Sequence, residues 1–175
     1  VICTSSSEVY GSALSKSISE KHPLNPTSPY AASKVAADRY CYSYIQTYNL
    51  PITIIRPFNT YGPRHTYDVI PKFIKMALFN KDITIHGDGN QSRDLTYVAD
   101  AVSAFLIIAK NKKCFQKVVN FGTGKDYKIK YLANKIKILS NSKSNIIYIP
   151  ERKAEVQRLT CDAKFCKSLG WKHKI

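Results

Sequence analysis

The sequence predicts an α/β fold on a mainly parallel sheet, and two observations carry that prediction. The β-branched run ITII at 52–55 is typical of a strand covered on both faces. Between this and other short apolar runs lie longer stretches with helix start and stop signals. Strands alternating with helices imply parallel pairing through helical crossovers.

In chain order, residues 1–6 read as the end of a buried strand. Residues 7–27, polar and interrupted by Pro23 and Pro26, read as a long loop. A helix follows over Pro29–Tyr48, where proline suits the first turn and Thr27 or Ser28 can cap it. Pro51 lies just beyond its end, and 52–55 forms the next strand. The turn-rich segment RPFNTYGPRHTYD then leads to a helix over 69–80. Shorter signals give a strand at 83–86, the turn GDGN, a strand at 94–98 and an apolar helix at 99–110. A strand at 118–122 and a helix at 129–139, inside the lysine-rich stretch 125–143, come next. A strand at 145–149 and a short helix at 162–169 complete the pattern.

Composition narrows the function classes. With 44% hydrophobic residues among 175, the chain has the make-up of one globular domain with a real core. No run approaches the roughly 18 apolar residues of a membrane span, and no membrane partner is expected. The first residue is Val, and no signal-peptide pattern precedes the first strand, so the expectation is a fragment of a larger fold. The formal charge of +15 comes from 27 Lys and Arg residues scattered singly, with no nucleic-acid-binding motif. We therefore expect no nucleic-acid partner, but a positive field that attracts an anionic small substrate. The five cysteines are unpaired in pattern, and neither they nor the four histidines show metal-ligand spacing. A reducing, cytoplasmic setting without a metal is the expectation.

Parallel sheets form their active sites outside the carboxyl ends of the strands. That rule selects the loops after 1–6, 52–55 and 118–122. The first reads TSSSEVYG, in which three serines are followed by a carboxylate. Shortly after it, SPYAASK places Tyr30 and Lys34 four residues apart at a helix start, with β-carbons roughly 5–6 Å apart on one face. A lysine ammonium beside a phenol favours the phenolate, which can then take a proton from an alcohol. The glycine pairs Gly87/Gly89 and Gly122/Gly124 lack the third glycine of a dinucleotide fingerprint and read as turns.

The ordered set TSSSEVYG, YAASK, RPFNTYGPR, GDGNQSRDLTYVAD, VVNFGTG and ERKAEVQRL resembles the extended short-chain dehydrogenase/reductase family over nearly the whole chain. It is most similar to the nucleotide-sugar epimerases, dehydratases and decarboxylases. The resemblance implies the C-terminal part of a Rossmann-like domain (1–60 and 115–124) interleaved with a smaller α/β substrate-binding lobe (61–114 and 125–175). It implies NAD as cofactor, with NADP left open, and a nucleotide-diphosphate sugar as substrate. Position by position, Ser6 falls on the hydroxyl that supports the tyrosine, Tyr30 on the general base and Lys34 on the residue that holds the nicotinamide ribose. Pro57 falls where the backbone meets the nicotinamide. Asn59, Arg93 and Arg152 fall on contacts to the substrate diphosphate. From the residues alone, Asn59 could be a turn residue, Arg93 could pair with Asp94 or Asp100, and Arg152 with Glu151 or Glu155. The helix Pro29–Tyr48, rich in tyrosine and alanine, is expected to form a homodimer as in the family.

The family's reactions begin alike, with proton loss from the hydroxyl on sugar carbon 4 and hydride transfer to NAD. A 4,6-dehydratase then needs a further carboxylate, and Glu8 falls on that position. On an extended stretch Ser6 and Glu8 would project to one side. Thymidine-linked glucose dehydratases carry Asp-Glu here, whereas this chain has Ser7-Glu8. A 4,6-dehydratase is therefore the leading expectation, with a 4-epimerase, a decarboxylase and a non-catalytic nucleotide-sugar-binding remnant as alternatives.

Overall fold

A computed structural model describes residues 1–175. The chain opens with β1 (Ile2–Thr4), a one-turn 3-10 helix (Ser7–Tyr10) and the long α1 (Pro29–Tyr48). Then come β2 (Thr53–Pro57), β3 (Thr60–Tyr61), α2 (Val69–Leu78) and β4 (Ile83–His86). They are followed by β5 (Ser92–Asp94), β6 (Thr96–Tyr97), α3 (Val98–Lys110) and β7 (Val118–Phe121). The last elements are β8 (Asp126–Lys128), α4 (Ile129–Leu139), β9 (Ile146–Ile149), β10 (Arg158–Leu159) and α5 (Lys164–Ser168).

The principal sheet is parallel, in the order β1-β2-β7. Its residues pack with Val9, Tyr10, α3 and the segment from Val156 to Trp171 into the larger core. A second parallel pair, β4 and β9, carries α2 and α4 and encloses the smaller core of Phe73, Ala77, Ile83, Ile85, Ile129 and Ala133. The short strands β10-β5-β8 and β3-β6 connect the two regions. Helix α3 and 156–171 pack into the larger core, and α2, β4, α4 and β9 pack around the smaller one as a smaller lobe.

Helix α1 begins and ends as its residues dictate. Ser28 is extended and its Oγ accepts the N–H of Ala31 at 3.1 Å, with Pro29 in the first turn. Asn49 closes the helix in the left-handed region at φ 53°, its N–H donating to the Ile45 carbonyl.

Three expectations need correction. The stretch 7–27 is no plain loop: Val9, Tyr10 and Ile18 are fully buried, and Ile18 bridges to Cys161. The strand expected at 94–98 is two strands, because β5 pairs with β8 and β10 while β6 turns to β3. Residues 7–10 are a 3-10 turn with Ser6 as its N-cap, so strand alternation does not relate Ser6 to Glu8.

Buried polar networks fix the sheet ends where a site can form. Arg56 on β2 pairs with Asp38 of α1, Nε to Oδ2 at 2.9 Å and Nη2 to Oδ2 at 2.8 Å. Its Nη1 donates to the Tyr10 hydroxyl at 2.9 Å, which donates to Asn120 Oδ1 on β7 at 2.7 Å. Burial pushes the Tyr10 phenol up to about 12, so it remains a donor. On the other side, Asp94 accepts from Thr123 N–H, Thr123 Oγ1, Gly124 N–H and the Cys161 N–H. Gly122 is a close approach, since a Cβ there would lie 2.5 Å from Cys161 Cβ and 2.9 Å from Asp94 Oδ2. The Gly122/Gly124 pair is thus a turn wrapped on Asp94.

Candidate active site

A cleft of about 820 Å³ runs between the first loop, the β2–α2 connection and the smaller lobe. Of the eight residues singled out in the sequence, Glu8, Asn59, Arg93 and Arg152 line it. Ser6, Tyr30, Lys34 and Pro57 do not, although Ser28, the cap beneath Tyr30, stands on the cleft wall.

The Ser-Tyr-Lys group gathers around the end of β1. Ser6 is buried, and its Oγ accepts the N–H of Glu8 at 3.2 Å. Tyr30, 55% exposed, opens α1. One helical turn on, Lys34 holds its Nζ 5.8 Å from the centre of the Tyr30 ring. The same Nζ donates to the Thr4 carbonyl at 3.1 Å, tying the base of α1 to the strand end. Ser5 Oγ, buried beside Ser6, has no hydrogen-bond partner. Pro57 ends β2, paired with Phe121.

The Glu8 carboxyl, largely enclosed by protein on the cleft wall, is pushed above the ordinary carboxylate range by burial. Arg93 opposes that shift by attraction across the cleft. Glu8 is thereby suited to carry a proton as well as to remove one.

The opposite wall is cationic. Arg93 donates Nη2 to Glu155 at 2.6 Å and Nη1 to the carbonyls of Val156 at 2.7 Å and Ser92 at 3.0 Å. Neither bland alternative for Arg93 holds: Asp94 is committed to the turn at 123–124 and to Cys161, and Asp100 accepts the N–H groups of Lys174 and Ile175. Arg152 is exposed at the rim and forms no ion pair. Asn59 Oδ1 is buried without a partner, as is His65 Nδ1. Both lie on the cleft wall, where a ligand donor can satisfy them.

Sequence reasoning missed Glu155 and His65. Glu155 was legible only as a neighbour of Arg152, and its true partner lies 62 residues away. His65 stands in the turn-rich segment with no spacing signal of its own.

Fold and site together define an α/β protein of the extended short-chain dehydrogenase/reductase type. The chain belongs to the NAD dependent epimerase/dehydratase family, whose model matches residues 1–122. It is 37% identical to the human dTDP-D-glucose 4,6-dehydratase, covering 99% of this chain and 52% of that enzyme. It is also 37% identical to a putative UDP-glucose 4-epimerase of Methanocaldococcus jannaschii, covering all of this chain and 58% of that one. The structure superposes with a TM-score of 0.94 at 29% identity on DesIV, a dTDP-glucose 4,6-dehydratase of Streptomyces venezuelae with NAD and TYD bound. That match covers the whole chain and 55% of the DesIV chain. The chain thus spans about half the length of these relatives.

Proposed function

We propose that the protein is an NAD-dependent nucleotide-sugar 4,6-dehydratase. The observation that carries this reading is Glu8: a carboxyl of raised pKa on the cleft wall, whose own N–H is held by Ser6 Oγ. An epimerase needs no such group, because it only turns the 4-keto sugar over and returns the hydride.

The residues present fit the cofactor of the family. Lys34 is anchored on Thr4 with ammonium hydrogens to spare for a ribose, and the buried Ser5 hydroxyl is unpartnered. Pro57 ends the neighbouring strand β2. NAD, when bound, supplies the hydride acceptor at sugar carbon 4 and the donor that returns it. The remaining chemistry belongs to the chain. Tyr30 takes the proton of the 4-hydroxyl, with the Lys34 charge favouring the phenolate and Ser6 holding the substrate oxygen. The carbon 4 ketone acidifies the hydrogen on carbon 5. Glu8 removes that proton and delivers it to the departing hydroxyl of carbon 6, so that water leaves. Arg93 and Arg152 grip the diphosphate, and Asn59 accepts a donor hydrogen from the same ligand.

A 4-epimerase is the second reading, favoured by the equal likeness to a putative 4-epimerase and by Ser7 in place of a second acid. Product analysis with the complete protein separates them. Dehydration predicts a 4-keto-6-deoxy sugar whose formation falls on the order of 10²-fold or more in Glu8→Gln, a typical loss for a general acid–base group. Unchanged turnover in that variant removes the dehydratase reading. The exposed Tyr40, Tyr42, Tyr44 and Tyr48 on α1 support self-association through this helix.

A further inference from the structure

The smaller lobe ends in an edge that the proposed function leaves largely unassigned. Helices α2 and α4 pack together, and each leads by a short turn into one of the parallel strands β4 and β9. Both helices therefore finish at the same edge, and their turns are fastened to each other. Ser142 Oγ donates to the Ala77 carbonyl at 2.7 Å, and the Lys143 N–H to Asn80 Oδ1 at 2.8 Å. The Asn145 N–H reaches Asp82 Oδ1 at 3.3 Å.

On this edge four large apolar side chains face outward: Leu78 is 64% exposed, Phe79 67%, Ile138 73% and Leu139 74%. Single exposed apolar residues are ordinary, but a group of four on two fastened turns is a contact surface. Lys75, Lys81, Lys135, Lys137 and Lys143 flank them in the same helix ends and turns, and none forms an ion pair. The sole carboxylate among these turns, Asp82, is the one engaged by Asn145.

We propose that this edge docks on an anionic lipid bilayer, with the apolar side chains entering the acyl boundary and the lysines meeting the headgroups. Leucine, isoleucine and phenylalanine bordered by lysine is the composition that binds such interfaces. The lysines have no fixed counter-charges, and the apolar residues project from turns, which suits a fluid negative surface. A folded acidic protein would have to match each lysine with a placed carboxylate. The proposed attachment is peripheral, and no helix of the chain is long and apolar enough to cross a membrane. Phe79 and Lys81 also line the far end of the cleft, so docking holds that end of the cleft at the lipid surface.

The test floats the complete protein with vesicles of phosphatidylcholine alone or mixed with phosphatidylglycerol, at low and at physiological salt. Recovery with the anionic vesicles should exceed that with neutral ones by about tenfold or more, and should fall as salt rises. The variant L78Q/I138Q/L139Q, altered outside the cleft and checked for folding by circular dichroism, should lose most of that recovery while keeping its turnover. K135Q/K137Q/K143Q should lose it too. If the apolar variant floats as well as the unaltered protein, the binding is mere net charge and the proposal falls. It falls equally if anionic vesicles recover nothing, which would leave the edge to an acidic protein or to a second copy.

Discussion

Tyr30 stands half open at the head of α1, whereas Arg93 across the molecule is held by three hydrogen bonds to Glu155, Val156 and Ser92. The contrast extends to what lies beneath each. On the tyrosine side, the buried Arg56–Asp38 pair and the Tyr10–Asn120 bond lock α1, β2 and β7 together, Lys34 is tied to Thr4, and the Tyr30 hydroxyl itself is left free. On the arginine wall, the functional group is itself the locked member. A proton-transfer group needs room to approach its substrate, and rigidity comes from the layer behind it. An anion-binding group, the role proposed for Arg93, gains from being placed beforehand, and Glu155 holds this arginine in place.

That difference predicts opposite kinetic signatures. Tyr30→Phe removes the proposed base and should lower kcat by about 10²–10⁴-fold while leaving nucleotide-sugar binding nearly intact. Arg93→Lys keeps the charge but loses the planar fork. Charge-assisted hydrogen bonds of about 1.5–3 kcal/mol predict a rise in KM of roughly 10- to 100-fold, with a smaller change in kcat. Steady-state kinetics on the complete protein, with binding measured calorimetrically, checks both. If the tyrosine variant binds weakly and the lysine variant binds well but turns over slowly, the division of labour between the walls is wrong.

The same contrast explains what the sequence disclosed. The bounds of helix α1 were legible, because Ser28, Pro29 and Pro51 are local signals at its two ends. The Tyr30–Lys34 relation was equally legible, since helical geometry alone brings the two together. The strands β3, β8 and β10 were not, being two or three residues long and owing their pairing to distant partners. The arginine wall shared that opacity. Arg93 meets Glu155 across 62 residues, and only a family resemblance marked the arginine at all. The fully buried Tyr10 and Ile18 were hidden by their polar neighbours in a segment that read as loop.

The smallest expected effect concerns the pH response of Glu8, which is carried beside Ser6 but feels the charge of Arg93. Burial raises its pKa above the usual 4.5, and Arg93 draws it part of the way back. In its proposed role as a base Glu8 must be ionised, so the proposed dehydration should fall as pH drops through that raised value, earlier than for an ordinary carboxylate. Arg93→Gln removes the opposing charge and should move this acidic limb to still higher pH. The stability effect has a definite sign. A carboxyl whose folded pKa exceeds its unfolded one contributes stability fully present below the unfolded value and lost as pH rises through the folded one. Glu8→Gln, which cannot ionise, should therefore melt above the unaltered protein near neutral pH. The gap should close below about pH 4, at the foot of the ordinary carboxylate range. A variant that melts lower at neutral pH would mean that attraction to Arg93 outweighs burial, and that Glu8 belongs with the locked groups rather than the free ones.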